Sequence, residues 1–545
     1  MIKSYINDIK NEFKGYGLLN FKQDLMSGIT VTAVALPLAL AFGVSCGATA
    51  AAGLITAIIA GLVIGALSGG SFQISGPTGA MSAILIALFQ KYGLEGIWVA
   101  GVIAGIILIL AGVLKIGKLV SYIPTPVITG FTSGIALTIA IGQLDNFFGV
   151  TTKSSESSAF KLINFFSTPL NPNWYALGMG LLVVIFMIIW PKKLNNIMPS
   201  SLVGLIIALI INLIFKLPID VIGDIPQKLI LDERLSIASL NIDMIKGLMI
   251  PAISIAALAM IESLLCGEVG KKMKDDTFDA NRELIAQGIG NILIPFFGGV
   301  PATAAIARTS VAIKSGGKTR LVSMFHAVFL MLSMFLLAPI MSNIPLSALA
   351  GVLMVTAWRM NEWESINYIF SKRFKGAISK FLITMSATIV LDLTQAILIG
   401  VIFSSLLFIL KISNMDIAIS EIDEDKLDKT IFKGINLSYI KVMYISGPLF
   451  FATAEKLKNE ILSIKDAKVI ILSMRGVPLI DTSALQALSE VIEEIRSRDC
   501  EIMLCGLQQQ VKDTLDKADF EEKLGSNNIF WSADQAIQSA ESIVA

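Results

Sequence analysis

Ser75-Gly76-Pro77-Thr78-Gly79 and Gly298-Gly299-Val300-Pro301-Ala302-Thr303 are two breaks in a long apolar stretch. Each opens a run, 77–90 and 302–314, that is too short for the ~20 residues a helix needs to cross a bilayer. Glycine and proline interrupt helices, so each run reads as a half-helix preceded by extended backbone. Apolar runs fill residues 29–412 around them and divide into fourteen segments: 29–46, 50–69, 77–90, 96–114, 119–143, 174–190, 199–216, 248–268, 284–297, 302–314, 321–340, 344–358, 377–391 and 395–411. The breaks therefore fall in the third segment of the first seven and the third of the second seven. Paired interruptions in corresponding halves point to an inverted repeat with a binding site near the membrane midplane.

Composition agrees with a polytopic α-helical membrane protein. Of 545 residues, 54% are hydrophobic and only 16% charged, with a mean hydropathy of +0.74. A soluble domain usually carries about 25% charged residues. The net charge of +1 says nothing about nucleic acid, but no basic cluster has the length of a nucleic-acid patch, and no nucleic-acid partner is expected. The four cysteines (Cys46, Cys266, Cys500, Cys505) form no C-x-x-C pair, and there is one histidine, His326. No disulfide framework, metal site or cofactor is expected. Residues 1–28 are mixed polar and read as a cytoplasmic N-terminal segment rather than a cleavable signal.

Charge fixes the expected orientation. Lys115 and Lys118; Lys192 and Lys193; Lys271, Lys272, Lys274 and Arg282; Lys314, Lys318 and Arg320; and Arg359, Lys372, Arg373 and Lys375 all fall in loops on one side. The positive-inside rule makes that side cytoplasmic, with both termini there, in the cell inner membrane. The loops 144–173 and 217–247, and Asp392, then face outward.

After Lys411 acids and lysines return (Glu421, Asp423, Glu424, Asp425, Lys426), which sets a boundary at 412–430. Beyond it, strands at 438–447, 469–472, 501–505 and near Ile529-Phe530 alternate with helices at 453–464, 482–497 and 508–517. This predicts an α/β domain over 430–545. Asp481 is a good N-cap, with Thr482 and Ser483 in the first turn.

Several stretches together resemble one family. Leu36-Pro37-Leu38-Ala39-Leu40-Ala41-Phe42-Gly43 is similar to its first-span motif, and Ile74 to Ala80 to its third-segment motif. Gly298 to Thr303, Ala305-Ile306-Ala307-Arg308-Thr309 and Ser315-Gly316-Gly317-Lys318-Thr319 resemble its tenth-segment motif. Ile480-Asp481-Thr482-Ser483-Ala484 resembles the STAS signature. In this order, over nearly the whole chain, they resemble the SulP-type anion permeases that carry a C-terminal STAS domain. The resemblance implies a seven-plus-seven inverted repeat divided into core and gate domains, elevator-like movement, a homodimer, and substrates such as sulfate, bicarbonate, chloride or dicarboxylates.

Half-helix N-termini suit a small anion. Each leaves unpaired N–H groups and a partial positive charge of about half a unit. Pro77 and Pro301 suit a first helical turn. Thr78 and Thr303 can add hydroxyl donors, and Gly76 and Gly79 allow close backbone approach. The expected anion-binding set is Gly76, Pro77, Thr78, Gly79, Ala302, Thr303, Ala304 and Arg308. The bland reading is that these residues only shape kinked packing helices. Arg308 is costly among Ala305, Ile306, Ala307 and Val311, at least about 2.5 kcal/mol on insertion scales. The resemblance implies that it supplies charge to the anion; otherwise it would pair with an acid or snorkel. Relatives often have serine where Ala307 stands.

Glu262, in Ala259-Met260-Ile261-Glu262-Ser263-Leu264-Leu265-Cys266, is an intramembrane acid and a coupling candidate. Relatives that couple to sodium carry Asp there and Thr four residues on. Glu262 and Cys266 stand here instead, and thiols are poor ligands for hard cations. Proton rather than sodium coupling is expected, with neutralisation of Arg308 as the alternative. Leu38 replaces a glutamine common after the first-span proline, and His326 reads as a core histidine. Gly317-Lys318-Thr319 is no phosphate loop, because Ala312 stands where glycine is required.

The function expected is secondary active transport of small inorganic anions, sulfate first, with membrane lipid as surroundings and a cytoplasmic partner for the STAS domain. Sodium-coupled bicarbonate or dicarboxylate transport is the alternative within the family. A nucleobase permease would carry an acid in segment ten, where only Arg308 is charged between 299 and 313. A non-transporting anion sensor signalling through STAS is the alternative of another class. Enzymatic chemistry is not expected.

Overall fold

The computed structural model describes residues 2–117, 123–153, 157–167, 171–191, 194, 198–236, 242–391, 393–413, 416–421 and 437–544. Lys118, Lys192, Lys193, Asp392 and the linker residues 422–430 lie outside them. The chain divides into two compact units, 1–402 and 403–545.

In the first unit an amphipathic helix α1 (Ile2–Glu12) precedes α2 (Leu18–Ser45) and α3 (Ala50–Ile59), which continues through a π turn to Leu67. A two-residue strand β1 (Ser75–Gly76) leads into α4 (Gly79–Val113). Then come α5 (Thr125–Gly142), α6 (Leu144–Phe148), α7 (Ser158–Ser167), α8 (Trp174–Ile189) and α9 (Ser200–Phe215). The second half opens with α10 (Ile242–Lys274) and α11 (Ala280–Leu293). A second short strand, β2 (Thr303–Ala304), leads into α12 (Ile306–Lys314). It ends with α13 (Leu321–Met341), α14 (Leu346–Met360), α15 (Trp363–Ser371) and α16 (Lys375–Val390), and α17 (Leu393–Ile412) carries the chain across the division at residue 402. Seven of the described helical stretches are long and apolar enough to cross a bilayer.

Each expected segment has a helical counterpart, with segments three and four joined in α4. Gly93 separates them, at φ 67° and ψ −167°, a backbone that favours glycine.

Residues 18–28, read as a polar tail, instead form the start of α2. Asp24 is the reason: it is fully buried and accepts from the Lys318 and Thr319 N–H groups and from the Thr319 hydroxyl at 2.6–3.2 Å. Arg282 and Arg320, counted as loop charges, are also buried, paired with Asp8 and Glu12 of α1.

Glycines set the helix spacing. A Cβ on Gly105 would lie 2.6 Å from the Gly288 carbonyl oxygen, and one on Gly288 would lie 2.5 Å from that of Gly105. Small residues let backbones meet where lipid supplies no hydrophobic drive. Gly53 marks a similar crossing of α3 on α2, where a Cβ would sit 2.0 Å from the Ala39 carbonyl oxygen. Gly53→Ala is therefore expected to destabilise the detergent-solubilised chain by the ~1–3 kcal/mol typical of overpacking, read as a lower thermal midpoint. An unchanged midpoint would mean that these helices do not meet so closely.

The second unit holds a five-stranded sheet. Its strands are β3 (Asp416–Glu421), β4 (Ile440–Ser446), β5 (Val469–Gly476), β6 (Glu501–Cys505) and β7 (Ile529–Phe530), side by side in chain order. All neighbours are parallel except β3 and β4. The helices are α18 (Ala454–Leu462), α19 (Thr482–Arg496), α20 (Gln509–Lys517), α21 (Phe520–Leu524) and α22 (Ala533–Val544). Alternating strand residues feed two cores: Ile470, Leu472 and Ile502 pack with α18–α21, and Val469, Ile471 and Met503 with α22. β3 lies inside the stretch read as a linker, because only its pairing with β4 makes a strand of Asp-Ile-Ala-Ile-Ser-Glu.

Candidate functional site

The two sequence breaks meet. β1 and β2 pair antiparallel, with Ser75 opposite Ala304 and Gly76 opposite Thr303. The Ala305 N–H extends the pairing to the Ile74 carbonyl at 3.0 Å. A half-helix leaves each side of this crossing. Thr78 caps α4 in extended conformation, its hydroxyl accepting from the Met81 N–H at 3.3 Å. The Gly79 and Ala80 N–H groups open α4, and those of Ile306, Ala307 and Arg308 open α12, all without intrahelical acceptors.

Some expected donors are not free. Pro77 and Pro301 were expected in first helical turns, but Pro77 precedes the Thr78 cap and Pro301 lies upstream of β2. Strand pairing uses residues 303–304 before the helix can begin, which moves its start from 302 to Ile306. The Ala302 N–H donates to Asn291 Oδ1 at 2.7 Å and the Ala304 N–H to Ser263 Oγ at 3.3 Å. The buried Thr303 hydroxyl lies 2.9 Å from that of Ser263 and donates to the Ala259 carbonyl at 3.3 Å. Residues 302–304 thus form the scaffold of the crossing. The Thr78 hydroxyl proton is also engaged, donated to Glu262 Oε2 at 2.9 Å.

Arg308 projects back to the first half-helix. Its side chain is 1% exposed, so it does not snorkel. Nη2 donates to the Pro77 carbonyl at 2.8 Å, whereas Nη1 has no partner among the described residues. A Cβ on Gly76 would lie 2.5 Å from that Nη1, so glycine there makes room for the guanidinium. Among the described ion pairs, none joins Arg308 to Glu262. A buried donor without an acceptor is costly, and an anion at the crossing would satisfy it. Gly76, Pro77, Thr78, Gly79, Glu262 and Arg308 are thus brought together. His326 is buried, with Nδ1 3.1 Å from the Thr32 hydroxyl.

Sequence reasoning missed Ser263, Gln287 and Asn291. The last two are polar residues four apart in an apolar segment, and that spacing was the available signal. In the second unit, Asp481 accepts from the Ala484 and Phe451 N–H groups, both at 2.9 Å, while Thr482 and Ser483 are exposed.

The model of the sulfate permease family matches residues 21–385, the very residues that carry the crossing. The chain belongs to the sulfate permease family. The STAS domain model matches residues 428–536. A relative named putative sulfate transporter YvdB, from Bacillus subtilis, is 34% identical over 534 residues, covering 96% of this chain and 98% of its own. A bicarbonate transporter, BicA of Picosynechococcus, is 27% identical over 542 residues, covering 96% and 95%. The solved structure of SLC26A9 superposes with a TM-score of 0.83 at 19% identity, over 97% of this chain and 92% of that one. The transmembrane domain of a cyanobacterial BicA matches 71% of this chain and 98% of its own, with a TM-score of 0.62 at 28% identity. This sulfate permease family member is a multi-pass membrane anion transporter with a C-terminal STAS domain.

Proposed function

We propose that the chain is a secondary active carrier of small inorganic anions, sulfate first, that binds its substrate at the β1–β2 crossing and couples uptake to a proton at Glu262. The observation that carries this reading is the buried Arg308 Nη1, without an acceptor among the described residues, between two helix starts. An anion there meets a guanidinium and free N–H groups on both sides, a preformed electropositive pocket.

Glu262 supplies the coupling. Ionised, it holds the Thr78 hydroxyl proton and places negative charge beside the substrate. Protonated, it removes that charge and releases the hydroxyl to donate to the anion. Loading by a proton and by the anion then favour one another, as reciprocal linkage requires. Strands, caps and Arg308 lie in one hydrogen-bonded block, which suits elevator-type movement of the site as a whole. The same reading includes a homodimer in the cell inner membrane with both termini cytoplasmic, and a STAS domain that meets a cytoplasmic partner near Asp481, Thr482 and Ser483.

The test is labelled sulfate uptake into proteoliposomes, driven by an inward proton gradient and then an inward sodium gradient, against unlabelled bicarbonate and dicarboxylates. Proton-driven accumulation supports the proposal. Glu262→Gln should remove the proton dependence and leave downhill exchange, and accumulation that still follows the proton gradient would take Glu262 out of the mechanism. Likeness to BicA over nearly the whole chain favours bicarbonate as the second substrate. Uptake of bicarbonate on a sodium gradient would support that reading instead.

A further inference from the structure

The crossing has no covalent or metal reinforcement among the described residues, yet two short strands must hold two half-helices in register. One face of α11 carries the support. Glu283, Gln287 and Asn291 stand four residues apart, so they share that face, and all three are fully buried. Asn291 grips β2 from its edge: Oδ1 accepts from the Ala302 N–H at 2.7 Å, and Nδ2 donates to the Ala302 carbonyl at 2.9 Å. An amide that accepts and donates to one residue stands in for a neighbouring strand. Gln287 grips β1, with Nε2 donating to Ser75 Oγ at 2.8 Å and to Glu283 Oε1 at 2.8 Å. Glu283 completes the row, its Oε2 accepting from Ser68 Oγ at 2.6 Å and the Gly69 N–H at 2.9 Å, where the chain leaves α3. The Gly105–Gly288 approach seats α11 close against α4.

We infer that Gln287 and Asn291 are positioning residues for anion transport, and that the Glu283–Gln287–Asn291 row sets where the two half-helix starts stand relative to each other. None of the three needs to touch the anion; they act through Ser75 and Ala302 on the groups that do. Glu283 is a fixed acceptor in this arrangement, with three donors, unlike Glu262 with a single hydroxyl partner among the described residues. The inference rests on the anion site proposed above.

The donor logic gives the test. In Gln287→Glu, two carboxylates face each other in a buried site, which is strongly unfavourable. In Glu283→Gln, the Gln287 amide can turn over, accept from the new amide at position 283 and from Ser75, and keep the row. In the double exchange Glu283→Gln/Gln287→Glu, every hydrogen bond is restored with two of them reversed: the amide at 283 and the Ser75 hydroxyl both donate to the carboxylate at 287. Labelled sulfate uptake is measured for the full-length chain in proteoliposomes, or labelled bicarbonate if the unmodified chain takes up only that. Gln287→Glu is expected to raise the half-saturating concentration by roughly tenfold or more, Glu283→Gln to change it little, and the double exchange to recover it. If Gln287→Glu cannot be purified folded, Gln287→Met serves, with the same rise and no recovery when Glu283→Gln is added. An unchanged half-saturating concentration in folded Gln287→Glu or Gln287→Met would overturn the inference. So would a double exchange as impaired as Gln287→Glu. Arg308→Met, run in parallel, separates the two claims. If it is impaired while the α11 variants are normal, only the positioning role fails; if it is normal, the site itself fails.

Discussion

Arg308→Met is expected to raise the half-saturating concentration of anion uptake roughly ten- to a hundredfold while leaving the thermal midpoint of the chain unchanged or higher. Among the described residues the guanidinium donates to the Pro77 carbonyl and holds a second nitrogen without an acceptor, at 1% exposure. A charge-assisted hydrogen bond to an anion contributes about 1.5–3 kcal/mol, or roughly ten- to a hundredfold in affinity. Removing a buried cation also removes its desolvation cost, so stability should not suffer. A structural ion pair would behave oppositely, because its deletion strands a buried partner. Arg308→Lys should recover only part of the affinity, since an ammonium cannot present the planar fork that spans Pro77 and the ligand. The measurements are concentration-dependent uptake and calorimetric unfolding of the same preparations. An unchanged half-saturating concentration would remove Arg308 from the site.

Gly76→Ala should do nearly the same damage from the opposite wall. A methyl group at this position would lie 2.5 Å from Arg308 Nη1 and 3.3 Å from Cζ. The strand pairing with Thr303 leaves little room for the backbone to retreat. The guanidinium must therefore swing away from the crossing, carrying its free donor with it. Uptake affinity should fall by roughly the same ten- to a hundredfold, and the Gly76→Ala/Arg308→Met pair should be little worse than either alone. Additive losses in the double variant would mean that the methyl group acts elsewhere.

These expectations trace back to a short piece of sequence that could be read only in part. The breaks at Ser75–Gly79 and Gly298–Thr303 disclosed two interrupted segments in matching halves, and Gly-Pro chemistry is local enough to be visible without a structure. Where the second half-helix begins was not visible. Pro301-Ala302-Thr303-Ala304-Ala305 reads as an acceptable helix start until its pairing with a strand far away in the chain is known. The same limit hid the engagement of the Thr303 and Thr78 hydroxyls by Ser263 and Glu262. It also hid Asp24, whose place in the polar stretch 18–28 suggested solvent until Thr319 supplied its donors. Arg308 and Glu262 stood out as charges in apolar runs, but whether they touch each other is a matter of packing.

The β1–β2 pairing joins residues roughly two hundred positions apart, and this has a consequence for how the protein is made. At about 5–20 residues per second, on the order of 10–50 s pass between synthesis of Gly76 and synthesis of its partner Thr303. Throughout that interval the first strand has an unpaired edge inside a membrane, where open backbone groups are expensive. The nascent first half is therefore an unfinished object that water or the insertion machinery must shelter. The wall of the proposed anion site is completed only when the second half arrives, so a ribosome stalled between the halves leaves a chain without the proposed site rather than half a transporter.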